Sequence, residues 1–275
     1  MGTLEAKEQK LHALLRGYGR VAVGFSGGVD STLLLRVALD VLGAENVLAV
    51  IADTPSLPRK EFAEAMHLAE GMGAACVVIN PDELSDPRYA ANPADRCYYC
   101  KKHLFEHIAG EAAARGFGIV LDGNNADDAG DYRPGRRAAQ ELGVRSPLME
   151  AGLTKAEIRA LSARAGLPTA DKPAMACLAS RIPYGTPVTA DVLAQVERAE
   201  TALRDAGFVQ CRVRHHGEVA RIEVAAGELP RLLDAVLRET VVRRVKEAGY
   251  RFVTLDLQGY RTGSLNEGLP PTGAV

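Results

Sequence analysis

A chain that runs Val21-Ala22-Val23-Gly24-Phe25-Ser26-Gly27-Gly28-Val29-Asp30-Ser31 and continues Thr32-Leu33-Leu34-Leu35 has little choice of local structure. The β-branched, apolar opening reads as a buried parallel strand, and the leucine run as a helix. Between them, Ser-Gly-Gly-Val-Asp-Ser turns tightly into the helix N-terminus. Strand, glycine turn and helix start together form an anion site. The glycines let the backbone approach an oxygen-rich group, and the unpaired N–H groups of the first turn point at it. Ser26 and Ser31 add hydroxyl donors, and Asp30 can hold the turn or, through water, a magnesium ion. No Gly-Lys-Ser/Thr follows, so this is not the phosphate loop of kinases and GTPases.

The six residues resemble the PP-loop of the ATP pyrophosphatases, adenylating enzymes that split ATP into AMP and pyrophosphate. The resemblance implies a fold of the adenine nucleotide alpha-hydrolase-like type, an α/β doubly wound parallel sheet. It also implies that Ser26, Gly27, Gly28, Val29, Asp30 and Ser31 bind ATP, with Asp30 close to the chemistry. The rest of the chain's first part agrees. Val47–Ile51, Ala74–Ile79 and Gly116–Asp122 read as further strands, and Pro58–Met72 and about Tyr99 to Ala114 as helices, so βα units follow one another. Asp53 falls at the carboxyl edge of the second strand, where open α/β sheets bind ligands and where the PP-loop family receives adenine and ribose. The loop Asp122 to Asp128, with Asn124 and Asp128, continues toward Arg133 and reads as a second rim of the cleft, Arg133 reaching a phosphate. A helix over Leu153–Gly166 opens with Thr154-Lys155-Ala156-Glu157, a capping box.

Asp171 to Gly185 is irregular and rich in proline, and such a segment inside an enzyme is usually functional. After Pro187 the texture changes. Helix (Ala190–Gly207), two alternating strands (Val209–His215 and Val219–Val224), helix (Glu228–Ala248) and strand (Arg251–Leu257) predict a smaller C-terminal α+β domain. The expected division is 1–186, a PP-loop domain with cysteine-bearing loops; 187–267, a substrate or oligomerisation domain; and 268–275, a disordered tail.

With 275 residues, a net charge of −2 and no long basic run, the chain lacks the basic stripe of a nucleic-acid partner. A small anionic substrate is easier to fit, because a few local arginines suffice. No apolar run reaches about eighteen residues, the length of a membrane span, and the start alternates charge with apolar residues, so the expected address is the cytoplasm. Five cysteines make a disulfide framework improbable there. Cys97-Tyr98-Tyr99-Cys100 admits a zinc half-site, a redox pair or an iron–sulfur half-site. With Cys177 there are three thiolates. Zinc would need His103 or His107 as well, whereas three thiolates suit a [4Fe–4S] cluster with one iron open. Cys76 and Cys211 read as small buried hydrophobes.

Taken together, these residues resemble the LarE-type ATP-dependent sulfur-insertion enzymes of nickel-pincer nucleotide cofactor synthesis. The resemblance covers most of the chain. It rests on Ser26–Ser31, on Gly123–Asp128 with Asp131–Gly135, and on Lys172-Pro173-Ala174 through Cys177-Leu178-Ala179-Ser180-Arg181-Ile182-Pro183-Tyr184-Gly185. Arg212-Val213-Arg214-His215 and Leu255–Arg261 extend it. It implies an enzyme that uses Mg-ATP to adenylate a carboxylate of a pyridinium biscarboxylate mononucleotide and then delivers sulfur to the acyl group. Some members surrender the sulfur of one cysteine at the position of Cys177. Others carry three cysteines and a [4Fe–4S] cluster that holds a transferable sulfide, and Cys97, Cys100 and Cys177 match that pattern. Ser180 joins Cys177 as a catalytic candidate, and Arg181, Arg212, Arg214 and Glu200 are the candidates for holding substrate phosphate and carboxylates. A homo-oligomer and a sulfide donor are the implied partners. The competing readings are a PP-loop tRNA thiolase, an NAD synthase-like amide-forming enzyme and a non-catalytic nucleotide-binding protein. The first should be basic, the second needs no cysteine triad, and the third sits poorly with an intact PP-loop.

Overall fold

A computed structural model describes residues 2–130, 134–174, 176–261 and 264. In chain order it begins with α1 (Leu4–Tyr18), β1 (Val21–Gly24), α2 (Val29–Leu42), β2 (Val47–Ala52), α3 (Arg59–Gly71) and β3 (Ala75–Ile79). Next come α4 (Pro87–Ala90), α5 (Arg96–Ala114), β4 (Ile119–Leu121), α6 (Pro134–Glu141), α7 (Pro147–Glu150) and α8 (Lys155–Arg164). The remainder is α9 (Ala190–Asp205), β5 (Cys211–His216), β6 (Val219–Val224), α10 (Ala235–Glu247) and β7 (Phe252–Leu255). The chain divides into two compact units, Met1–Glu83 with Asp95–Met175, and Leu84–Ala94 with Ala176–Val275. No helix among the described residues is long and apolar enough to cross a membrane.

The first unit is the expected doubly wound sheet. Its strands are all parallel, in the order β3-β2-β1-β4, with Val21 opposite Val47 on one side and Ile119 on the other. Successive side chains of a strand point to opposite faces, and both faces are covered. Val21, Val23, Val47, Ala49 and Ile51 enter one core with α1, α2, α3 and α8, while Ala22, Leu48 and Val50 enter another with Phe105 and Ile108 of α5. Hence β1 and β2 read as unbroken apolar runs. β3 lies at the sheet edge, and Cys76 on it is half-buried rather than buried. The chain winds outward from β1 through β2 to β3 and then returns to place β4 on the other side of β1. That reversal puts a ligand crevice at the carboxyl end of β1.

The second unit holds a sheet in the order β5-β6-β7, the first pair antiparallel and the second parallel. α9 and α10 pack on it around Leu203, Phe208, Val213, Ile222, Val241 and Val245. The hairpin between β5 and β6 turns at Gly217, whose φ of 61° lies in the left-handed region that glycine tolerates. The helix expected over Glu228–Ala248 is two elements, a 3-10 turn over Ala226–Leu233 containing Pro230 and then α10, because proline removes a helix hydrogen bond. The segment around α4 joins this unit through Asn92, which is fully buried. Its side-chain amide donates to the carbonyls of Pro183 and Thr186 at 2.8 and 2.9 Å, and its own carbonyl accepts from Gly185.

Candidate functional site

At the crevice, the turn after β1 is held by its own hydroxyls. Ser31 Oγ donates to the Gly28 carbonyl at 3.2 Å and lies 3.1 Å from Ser26 Oγ. Gly28 is the N-cap of α2 and offers no side-chain cap, so the first-turn N–H groups stay available to a ligand. Gly27 has φ 67°, and a Cβ there would sit 3.0 Å from Cα and Cβ of Ala65 in α3. Both conditions demand glycine. Gly27→Ala is expected to cost at least about 1–2 kcal/mol for the left-handed backbone alone and to weaken Mg-ATP binding, measured by thermal unfolding and nucleotide titration.

The loop after β4 packs directly on this turn. A Cβ on Gly123 would meet the Ser31 nitrogen at 3.1 Å, so the small residue permits the approach. Asn125 then donates to Asp30 at 3.3 Å, and its backbone N–H donates to Asp128 at 2.9 Å. Asn124 is bound to Asp122, whose carboxyl is pushed up by burial against the lowering effect of Ser146. On the neighbouring strand edge, Asp53 pairs with Arg59, which also donates to the carbonyl of Thr54 at 2.6 Å. Ser26–Ser31, Asn124 and Asp128 are therefore brought to one sheet edge, and Asp53 follows directly on β2 beside it. Arg133 lies outside the described residues, as does the expected tail.

Lys155 is a residue that sequence reasoning passed over. Its ammonium donates to Asp30 Oδ2 at 2.5 Å. Its backbone N–H donates to Asp127 at 2.8 Å, and the capping box of Thr154 and Glu157 sets the helix start that carries it. Lys7 closes the back of the box on Glu157 at 2.7 Å. The PP-loop carries no lysine of its own, and α8 supplies one. The signal was the capping box itself, which marks where Lys155 begins a helix but not what it faces.

Cys97 is exposed in the first turn of α5 and Cys100 follows one turn on, half-buried, its S–H donating to Glu83 at 3.2 Å. The helix starts earlier than expected, so both thiols stand on it. Among the described residues, no three His, Cys, Asp or Glu side chains converge as a metal site.

In the second unit, Cys177 is exposed and its backbone is tightly held. Its carbonyl accepts from Ser180 Oγ at 2.8 Å and from Arg181 at 2.9 Å. Arg181 is fully buried, with Nε and Nη2 on Glu200 at 2.8 and 3.1 Å and Nη1 also on the Ala176 carbonyl at 2.7 Å. Burial acts to raise the Glu200 carboxyl, but Arg181, Arg204 and Arg212 outweigh it and hold it below its ordinary value. Arg214 forks onto Glu223 at 2.9 and 2.8 Å and donates to the Ser180 carbonyl at 2.8 Å. Arg181 and Arg214 thus brace the main chain of residues 176–180. Glu223, fully buried, is a second supporting residue that sequence reasoning missed. Arg212 differs: it is buried over the Tyr260 ring at 5.1 Å, and no carboxylate among the described residues bridges it. Burial, with Arg181 adding to it, pulls its pKa down. Glu200 acts on it at longer range in the opposite sense, and one guanidinium nitrogen donates to the Cys211 carbonyl at 2.7 Å.

Residues 6–90 match the NAD synthase family. The chain is 44% identical to the pyridinium-3,5-bisthiocarboxylic acid mononucleotide synthase of Lactiplantibacillus plantarum, over 98% of this chain and 97% of that protein. It is 43% identical to an uncharacterized protein of Synechocystis sp., over 96% of this chain and 98% of that one. Likeness to the NH(3)-dependent NAD(+) synthetase of Methanococcoides burtonii is partial, 41% over 64 residues, or 23% of this chain and 24% of the other.

Proposed function

Because the chain belongs to the family of the pyridinium-3,5-bisthiocarboxylic acid mononucleotide synthases, we propose that it activates a carboxylate of a pyridinium-3,5-biscarboxylic acid mononucleotide with Mg-ATP and replaces the activated oxygen by sulfur. The observation that carries this is the near full-length likeness combined with an intact anion turn, Ser26–Ser31, at the sheet's switch point. The first-turn N–H groups and Lys155 face the charge that develops on departing pyrophosphate, and Asp30, Asn124 and Asp128 line the rim where magnesium and ribose would be met. The carboxylate oxygen attacks the α-phosphorus, pyrophosphate leaves, and sulfur then attacks the acyl-adenylate with AMP as leaving group. Arg212 is the residue best prepared to take the substrate's phosphate or second carboxylate. Arg181, Arg214 and Glu200 act beside it by holding the Cys177–Ser180 turn in place.

For the sulfur source we propose a [4Fe–4S] cluster on Cys97, Cys100 and Cys177, none of them in a disulfide and two of them exposed. Three thiolates would hold such a cluster, and it would supply a transferable sulfide. The protein is read as a cytoplasmic homo-oligomer that receives its sulfide from a donor. The test is iron and acid-labile sulfide per chain after anaerobic purification, with product analysed in the same sample. Iron near four per chain, lost in Cys97→Ala, is expected, together with thiocarboxylate, AMP and pyrophosphate. No iron after reconstitution, with the chain lighter by one hydrogen sulfide at Cys177 after turnover, would make Cys177 the expendable donor instead. Absence of AMP formation would remove the adenylation reading altogether.

A further inference from the structure

α3 brings two carboxylates to the back of the anion turn. Glu61 and Glu64, three residues apart, share a helix face, and Ala65 beside them is the residue against which Gly27 packs. Carboxylates beside a polyphosphate site would repel the ligand. One side chain meets both: Lys172 lies 2.7 Å from Glu61 and 2.9 Å from Glu64, and the same ammonium donates to the Gly27 carbonyl at 3.2 Å. Lys172 is only 15% exposed and Glu61 12%, so solvent screens them weakly. Burial acts to lower the lysine pKa, but the two carboxylates more than offset it and the net shift is upward. The main chain that carries Lys172 is pinned in turn, because Arg159 of α8 donates to the carbonyls of Ala170 and Lys172.

The contact with Gly27 has a directional consequence. In a planar trans peptide the C=O and the following N–H point opposite ways, so a lysine that draws the Gly27 oxygen outward aims the Gly28 N–H inward. We propose that Lys172 is the electrostatic tether of the nucleotide turn: it bridges Glu61 and Glu64 and offsets one of their two negative charges, which would otherwise repel polyphosphate, and it fixes the Gly27–Gly28 peptide in its phosphate-binding orientation. Lys172 is a positioning residue on this view, reached from a loop 145 residues downstream of the turn. The inference rests on Ser26–Ser31 being the nucleotide site.

The experiment titrates full-length protein with Mg-ATP, inorganic pyrophosphate and AMP at low and high salt. For Lys172→Met we expect Kd for ATP and pyrophosphate to rise about five- to twentyfold at low salt, with AMP changed less than about twofold, since the effect follows phosphate charge. Glu61→Gln/Glu64→Gln, which leaves Lys172 charged and unopposed, should bind pyrophosphate more tightly than wild type, and adding both changes to Lys172→Met should recover most of the lost affinity. Equal loss for AMP and pyrophosphate, or no recovery in the triple variant, would mean a structural role only and would overturn the tether. The double glutamine variant retains Lys172, so its result decides the matter even if Lys172→Met does not fold. Wild-type protein that fails to bind Mg-ATP would instead sink the nucleotide reading, whatever the variants do.

Discussion

Lys155→Met is expected to lower substrate-dependent AMP and pyrophosphate formation by about 10²–10³-fold, the size of effect seen when one preorganised charge-stabilising group is removed. Among the described residues Lys155 is the cation that bridges Asp30, and Asp30 stands in the first turn of α2 where phosphate must come. Removing the ammonium takes away a positive charge opposite the developing pyrophosphate and also leaves the Asp30 carboxylate, still held by Asn125, without its counter-charge beside it. Both effects oppose catalysis. The pair is partly exposed, so its contribution to folding is small, and thermal unfolding should shift little. Lys155→Arg should recover part of the rate. Asp30→Asn/Lys155→Met should be less impaired than Lys155→Met alone if repulsion from Asp30 is a large share of the loss. A rate within about fivefold of wild type for Lys155→Met would remove Lys155 from the reaction.

That residue also marks what a sequence can and cannot reveal. The turn at Ser26–Ser31 was legible because its conformation is local: glycine at a positive φ, hydroxyls within five positions, a strand before and a helix after. β1 and β2 were legible because a sheet covered on both faces leaves an unbroken apolar run. Lys155 and Lys172 were not, because their partners lie 125 and 145 residues away and nothing in a lysine's neighbours says which carboxylate or carbonyl it will meet. The arginines near Cys177 show the same limit. Arg181, Arg212 and Arg214 read alike in sequence, yet among the described residues Arg181 and Arg214 fork onto carboxylates, whereas Arg212 meets Glu200 only at longer range. The break near Pro230 has a local cause, since proline within a helix removes a backbone hydrogen bond, and it stands in the sequence inside the span read as one helix.

Glu200→Gln should be the most damaging single change in the second unit. The carboxylate is fully buried, forks onto Arg181, accepts from Arg204 at 2.7 Å and takes the Val213 N–H at 3.2 Å. The amide keeps the volume but leaves the buried Arg181 guanidinium without its counter-charge. Breaking one side of a buried pair costs about 3–5 kcal/mol, and denaturant unfolding of the variant should show a loss of that order. The pH dependence gives an independent check. Burial pushes the Glu200 carboxyl up, the surrounding guanidinia pull it further down, and the net value in the folded chain is lowered. A group of that kind contributes stability above its unfolded pKa, about 4.3 for Glu, and loses it as pH falls through the lower folded value. Wild type should therefore weaken through that acid window, whereas the variant, already without the carboxylate, should be flatter there. The functional consequence follows from geometry: Arg181 carries the Ala176 and Cys177 carbonyls, so an unanchored Arg181 releases the main chain that presents the Cys177 sulfur. Sulfur transfer should fall by much more than Mg-ATP affinity, because the nucleotide turn belongs to the first unit. An unchanged unfolding midpoint, or parallel losses of nucleotide binding and sulfur transfer, would show that Glu200 does not hold the Cys177 turn.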